Sequence, residues 1–164
     1  MQEGRKKLNQ AGMSLLELVV VILIIGILAV GSGVGISYAS QMNATSAAEK
    51  FTSLLERTRM HTISADDSVK LVLARDGDGY YGKIMKGATE VDNVRLGNNG
   101  LSITIKETGQ PDITVNTGAS YEFTYKKSNG AFADTCTYTS VVISGGSKTK
   151  VVQLVHATGR CYQK

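Results

Sequence analysis

One long N-terminal helix packed on a C-terminal antiparallel β-sheet domain, an α+β architecture, is the fold this sequence predicts. Three observations carry it. Leu18 to Ile36 is an apolar run of 19 residues in which Ser32 is the only clearly polar side chain. From Ser37 to about Ser64 the apolar positions continue at three- and four-residue steps, the period of an amphipathic helix. After Asp66-Asp67 the pattern changes to short β-type runs divided by segments rich in Gly, Asn, Ser and Lys.

In chain order, Met1 to Gly12 is short, polar and basic, with Arg5, Lys6 and Lys7 ahead of the apolar run. Charges so placed hold a leader on the cytoplasmic side of a membrane. The run itself approaches the ~20 apolar residues that a bilayer-crossing helix needs. Glu17 stands at its start, where hydrocarbon is expected. A carboxylate there costs on the order of 2.5–3.5 kcal/mol, so it is a functional candidate by default. The division expected is a leader over 1–12, a transmembrane helix over 13–36, its amphipathic continuation over 37–65 and an extracytoplasmic β-rich domain over 66–164.

Gly31-Ser32-Gly33-Val34-Gly35 places three glycines late in the apolar run. Gly31 and Gly35 have the spacing of a close helix–helix contact. Equally, each interior glycine weakens a helix by ~1 kcal/mol relative to alanine. Beyond them Ala44, Ala47, Ala48, Phe51, Leu54, Leu55 and Thr58 form one face, with Glu49, Lys50, Glu56, Arg57 and Arg59 largely elsewhere. A continuous helix from Met13 to about Ser64 is roughly 78 Å long at 1.5 Å per residue. Its lower half is expected in lipid and its upper half against the domain.

The β-type runs are Val69–Ala74, Tyr80–Lys86, Leu101–Lys106, Ile113–Val115, Tyr121–Tyr125, Tyr138–Ile143 and Val151–His156. Arg75-Asp76-Gly77-Asp78-Gly79 between the first two is a hairpin signal. Its two aspartates also suggest calcium faintly, but a full calcium loop needs further acidic ligands.

Were the chain cut after Gly12, as the resemblance described next implies, a free amine would appear on Met13, a cation absent from the precursor. Glu17 lies four residues on, one helical turn away and on the same face. Opposite charges in a low-dielectric medium attract far more strongly than in water. The amine of the same chain or of a neighbour therefore neutralises Glu17, and the second case drives helices together. A plain anchor whose Glu17 snorkels to the headgroups is the simpler reading.

Gly12 followed by Met13-Ser14-Leu15-Leu16-Glu17-Leu18-Val19-Val20-Val21-Ile22 resembles the class III signal of type IV pilins and pseudopilins. The resemblance implies that a prepilin peptidase cuts between Gly12 and Met13 and that Met13 is N-methylated. It also implies that Glu17 guides assembly. Met13 stands where most members of that family have phenylalanine. The segment Ala48–Arg59 with Val69-Lys70-Leu71, and the closing Val155-His156-Ala157-Thr158-Gly159-Arg160, resemble the FimT and GspH group of minor pilins. The implied product is a non-enzymatic filament subunit of a type IV pilus, a type II secretion pseudopilus or a competence filament. Its partners are other pilin subunits, the prepilin peptidase and methylase, and the membrane. No cofactor is implied. The implied place is a single pass through the cytoplasmic membrane with the N-terminus inside, then a surface filament.

Two alternatives stay open. One is a tip-displayed pilin that binds DNA or a surface. Members of the FimT group are thought to bind DNA through a Gly-Arg-x-Arg motif, of which Gly159-Arg160-Cys161-Tyr162 keeps only the first arginine. Arg160, Lys148, Lys150 and Lys164 are the candidate contacts. The other is a released extracellular protein, because Ser37-Tyr38-Ala39 is like a signal-peptidase site. An apolar run of 19 residues exceeds the usual length for such a signal, and Glu17 then has no purpose.

Net charge is +4, and the leader supplies half of it, which leaves too little to argue for nucleic acid from charge alone. Cys136 and Cys161 are 25 positions apart and fall in the part expected outside the membrane. They are expected to form a disulfide there, worth roughly 3.5 kcal/mol by loop closure. They lack the C-x-x-C spacing of a redox or zinc site, so no metal is expected. His61 and His156 are isolated, and no nucleophile pattern surrounds them.

Overall fold

The structure, a computed structural model, describes residues 15–64 and 68–164, and of residues 28–42 the backbone only. Among the described residues a single helix, α1 (Leu15–Ser64), is followed by nine strands. These are β1 (Val69–Arg75), β2 (Gly79–Lys86), β3 (Thr89–Asn98), β4 (Leu101–Glu107) and β5 (Ile113–Thr114), then β6 (Ser120–Thr124), β7 (Tyr138–Gly145), β8 (Lys148–Val155) and β9 (Arg160–Gln163). All pairings are antiparallel, in two sheets ordered β3-β2-β1-β6 and β5-β4-β7-β8-β9. The α+β expectation holds.

The chain divides into two compact units, one ending at Ile36 and one running from Ser37 to Lys164. In the first unit every described side chain from Leu15 to Ile27 is exposed. Among the described residues no helical stretch is long and apolar enough to cross a membrane. The second part of the predicted span, with Gly31 and Gly35, lies outside the described side chains; its backbone stays helical. So does the backbone through Ser37-Tyr38-Ala39.

The second unit has its own core. The predicted helical stripe is its spine: Ala44, Ala47, Ala48, Phe51, Leu54, Leu55 and Thr58 are all buried. At Gly82 of β2 a Cβ would stand 2.5 Å from Leu54 Cδ1, so the leucine fills the space over that glycine. Two buried hydroxyls that would otherwise be orphaned bond back one turn, Thr58 Oγ1 to Leu54 O at 2.7 Å and Thr62 Oγ1 to Thr58 O at 2.8 Å.

Both sheets turn alternate residues toward that spine. Val69, Leu71 and Leu73 of β1, Ile103 and Ile105 of β4, Val141 and Ile143 of β7, and Val152 and Leu154 of β8 are buried. Aromatic rings join the layers. Phe51 meets Phe123 of β6 edge-on at 5.4 Å between centroids, and Phe123 meets Tyr138 of β7 at 5.2 Å. Lys50 Nζ donates to Arg95 O of β3 at 3.3 Å, and Arg57 pairs with Asp92 of β3 at 2.7 Å. On the opposite flank Gln163 Nε2 of β9 donates to Thr52 Oγ1 at 3.2 Å. The helix is held between edge strands β3 and β9.

The predicted Asp-Gly hairpin joins β1 to β2. Asp76 Oδ1 accepts from the backbone N–H groups of Asp78 at 2.9 Å and Gly79 at 3.0 Å, which turns the chain. Two strands were not expected from the sequence, β3 and β9. Both are edge strands with polar residues on much of their length.

Phe51 fills the junction of helix and sheets, so Phe51→Ala should destabilise the domain by about 3–5 kcal/mol. Urea unfolding should show a lower midpoint with an unchanged slope.

Candidate functional site

The residues expected to carry function fall in three places. Gly12 and Met13, the expected cleavage junction and methylation site, lie outside the described residues. Glu17 lies in the first turn of α1, and its residue is exposed. Its surroundings are apolar and equally uncovered: Leu15, Leu16, Leu18, Val19, Val20 and Val21 are each 41% exposed or more. A contiguous apolar surface of this kind on a helix marks a face that is covered by lipid or by other protein. A single carboxylate on it is the one group able to form a directional, charge-dependent contact there.

The cysteines are the second place, and here the structure corrects the sequence reading. Cys136 is buried, Cys161 is half-buried, and both are free thiols rather than a disulfide. Each has a packing role of its own. Cys161 faces the spine from β9, its Sγ 3.9 Å from Thr52 O. Cys136 sits in the loop before β7, where its backbone N–H donates to Ala133 O at 2.9 Å. Burial pushes both thiols up to about 11, so they stay protonated at neutral pH. The phenol of Tyr125, whose hydroxyl is buried without a hydrogen-bond partner, is raised by burial and by both cysteines.

The third place is the set of cations Lys148, Lys150, Arg160 and Lys164. Strand alternation separates them. Lys148 and Lys150 share the face of β8 that carries buried Val152 and Leu154. Arg160 pairs in register with Val155, and Lys164 bonds through its N–H to Val151 O at 2.9 Å, so both lie on the opposite face. Lys164 there stands over the Tyr162 ring at 5.6 Å. The four do not form one patch. Arg160 instead lines a groove with Arg59 and Glu56 of α1, a neighbour that the sequence reading did not associate with it.

His61 is exposed near the end of α1. His156 is tied to Tyr138 O through Nε2 at 2.7 Å and tilts against Phe132. Among the described residues neither has a nucleophile or carboxylate partner that would make it a base.

What the exposed apolar start of α1 means is decided by comparison with known proteins. A prokaryotic N-terminal methylation motif matches residues 7–33, spanning the end of the leader from Lys7, the Gly12–Met13 junction, Glu17 and most of the apolar run. The chain carries the class III signal of the type IV pilin family. The match supports a type IV pilin- or pseudopilin-like precursor. No curated protein and no solved structure matches the chain. The pilin signal thus explains the first unit, while the β-domain stands on its own geometry.

The raised thiols make a signed prediction. A group whose folded pKa lies above its unfolded value loses its stabilising contribution as pH rises through that interval. For the thiols the interval runs from 9.0 to about 11. The stabilising contribution of the two thiols should therefore be level below pH 9 and fall above it. Cys136→Ala should remove on the order of 2 kcal/mol of that fall. Alkylation of the unfolded chain without reductant should add two labels; none would restore the disulfide.

Proposed function

We propose that this chain is a minor pilin or pseudopilin of the FimT and GspH kind, a structural subunit of an envelope-spanning filament. The match to the methylation motif over residues 7–33 supports the pilin-like part of this reading, and the FimT and GspH part rests on the sequence resemblance alone. In it, prepilin peptidase cuts between Gly12 and Met13, the new Met13 amine is methylated, and residues 13–36 anchor the subunit in the cytoplasmic membrane. The domain from Ser37 onward lies outside the membrane. Its independent core supports this, because a domain carried on a retractable anchor must fold without the anchor.

Glu17 is the assembly residue. In a filament, the apolar face around it packs on neighbouring helices, and its carboxylate meets the amine of Met13 on an adjacent subunit. The contact is short-ranged and charge-dependent, so it registers one helix against the next, whereas the surrounding Leu and Val side chains slide freely. Direct DNA binding is not adopted, because Lys148 and Lys150 lie on one face of the sheet and Arg160 and Lys164 on the other.

Two measurements test the reading. Intact-mass analysis of the membrane fraction should find a chain that starts at methylated Met13, and Gly12→Val should retain the leader. A mature end at Ser40 would refute the pilin reading and favour the released protein. Glu17→Val should still be cut after Gly12 and accumulate in the membrane, yet be missing from sheared filaments. Glu17→Gln should behave similarly, since it keeps the shape without the charge. Normal incorporation of both variants would remove Glu17 from assembly.

A further inference from the structure

One end of the second sheet holds an open cavity of about 550 Å³ that neither the filament role nor the core explains. It is formed where β4 ends, where the chain passes from β6 to β7, and where β8 turns toward β9. That size lies inside the range of roughly 300–1,000 Å³ found for small-ligand sites. Its floor is apolar, with Ala131 and Phe132 buried and Ala133 half-buried. Phe132 is fixed from behind by a stacked contact with Tyr125 at 4.5 Å.

The wall above that floor has unspent hydrogen-bonding capacity of both kinds. Glu107 is half-buried, and among the described residues no donor or cation reaches its carboxylate. Lys126 Nζ is paired with Asp134 Oδ1 at 2.7 Å, which leaves two ammonium protons and the second carboxylate oxygen available. Asn129 uses its Oδ1 on Ala131 N at 3.0 Å and keeps its amide protons. His156, donating through Nε2 to Tyr138 O, turns its other ring nitrogen into an acceptor.

Charge narrows the ligand class. The Lys126–Asp134 pair cancels, so the cavity carries no net positive charge and does not suit phosphate or another polyanion. An apolar ligand would leave Glu107 half-buried and unpaired, which costs free energy. What fits is a neutral molecule that has an apolar face and hydroxyls pointing around its edge, each able both to donate and to accept. We propose that this cavity is a saccharide-binding site that takes one or two neutral sugar rings. The C–H face of a ring rests over Ala131 and Phe132, and its hydroxyls bridge Glu107, Asp134 and Lys126.

The inference goes beyond the filament reading and does not depend on assembly. It is tested on the full chain in a phosphocholine detergent, which contains no sugar. Isothermal titration with cellobiose, lactose, mannobiose and chitobiose should show saturable binding of at least one. Glu107→Gln should weaken that binding by about tenfold, as expected for loss of a charged hydrogen bond in a partly enclosed site. Arg160→Ala, outside the cavity, should leave it unchanged. The proposal is overturned if none of the four binds, or if Glu107→Gln binds as well as the parent chain. It is equally overturned if tetralysine binds instead and is released by salt, because the site then recognises a cation.

Discussion

The buried stripe of α1, which both sheets cover, is the constraint from which the rest of the domain follows. It begins with small residues, Ala44, Ala47 and Ala48, all of them fully buried. On the sheet side Gly82 lies opposite Leu54, whose Cδ1 would have to shift to admit a Cβ. Larger groups are confined to the centre, where Phe51 and Phe123 meet edge-on and Tyr138 extends the contact to the second sheet. Because one helix face serves both sheets, edge strands β3 and β9 end beside its flanks, and polar contacts from Lys50, Thr52 and Arg57 close the seams.

That arrangement explains what was legible beforehand. The stripe at three- and four-residue spacing was visible because it must be continuous to be buried. The β1–β2 hairpin was visible because Asp76 and Gly79 perform a local task that needs those residue types. Strand β3 was hidden because only Leu96 among its residues is fully buried, so Glu90, Asp92 and Arg95 mask any alternation. Strand β9 was hidden because four residues are too few to show a period, and its pairing to β8 depends on partners far off in sequence.

The candidate sites divide along the same line. The signal around Gly12, Met13 and Glu17 is contiguous, so its chemistry is carried by the order of residues alone. The cysteines and the C-terminal cations are not contiguous, and their relations are tertiary. A separation of 25 positions says nothing about whether Cys161 faces Thr52 or Cys136. Lys148 and Arg160 look like members of one cluster until the register of β8 and β9 assigns them to opposite faces. The cavity beside Glu107 was unreadable for the same reason, since its walls come from three separate parts of the chain.

The two units differ in what completes them. From Ser37 onward the apolar side chains have partners, and buried hydroxyls such as those of Thr58 and Thr62 bond within the helix. From Leu15 to Ile27 the helix satisfies its backbone but leaves its side chains uncovered. Hydrophobic cover for such a surface is non-directional, so lipid and neighbouring helices serve it equally well. Under the filament function proposed above, that equivalence would let a subunit leave the membrane for a filament without a large difference in burial. It also means that burial alone cannot choose the register of the assembled helices. A group with a charge and a short range must do so, and Glu17 is the only carboxylate among the described residues of that stretch. Under the proposed function, the cost of that carboxylate in an apolar setting would be the source of its specificity, because a register that supplies a counter-charge relieves it.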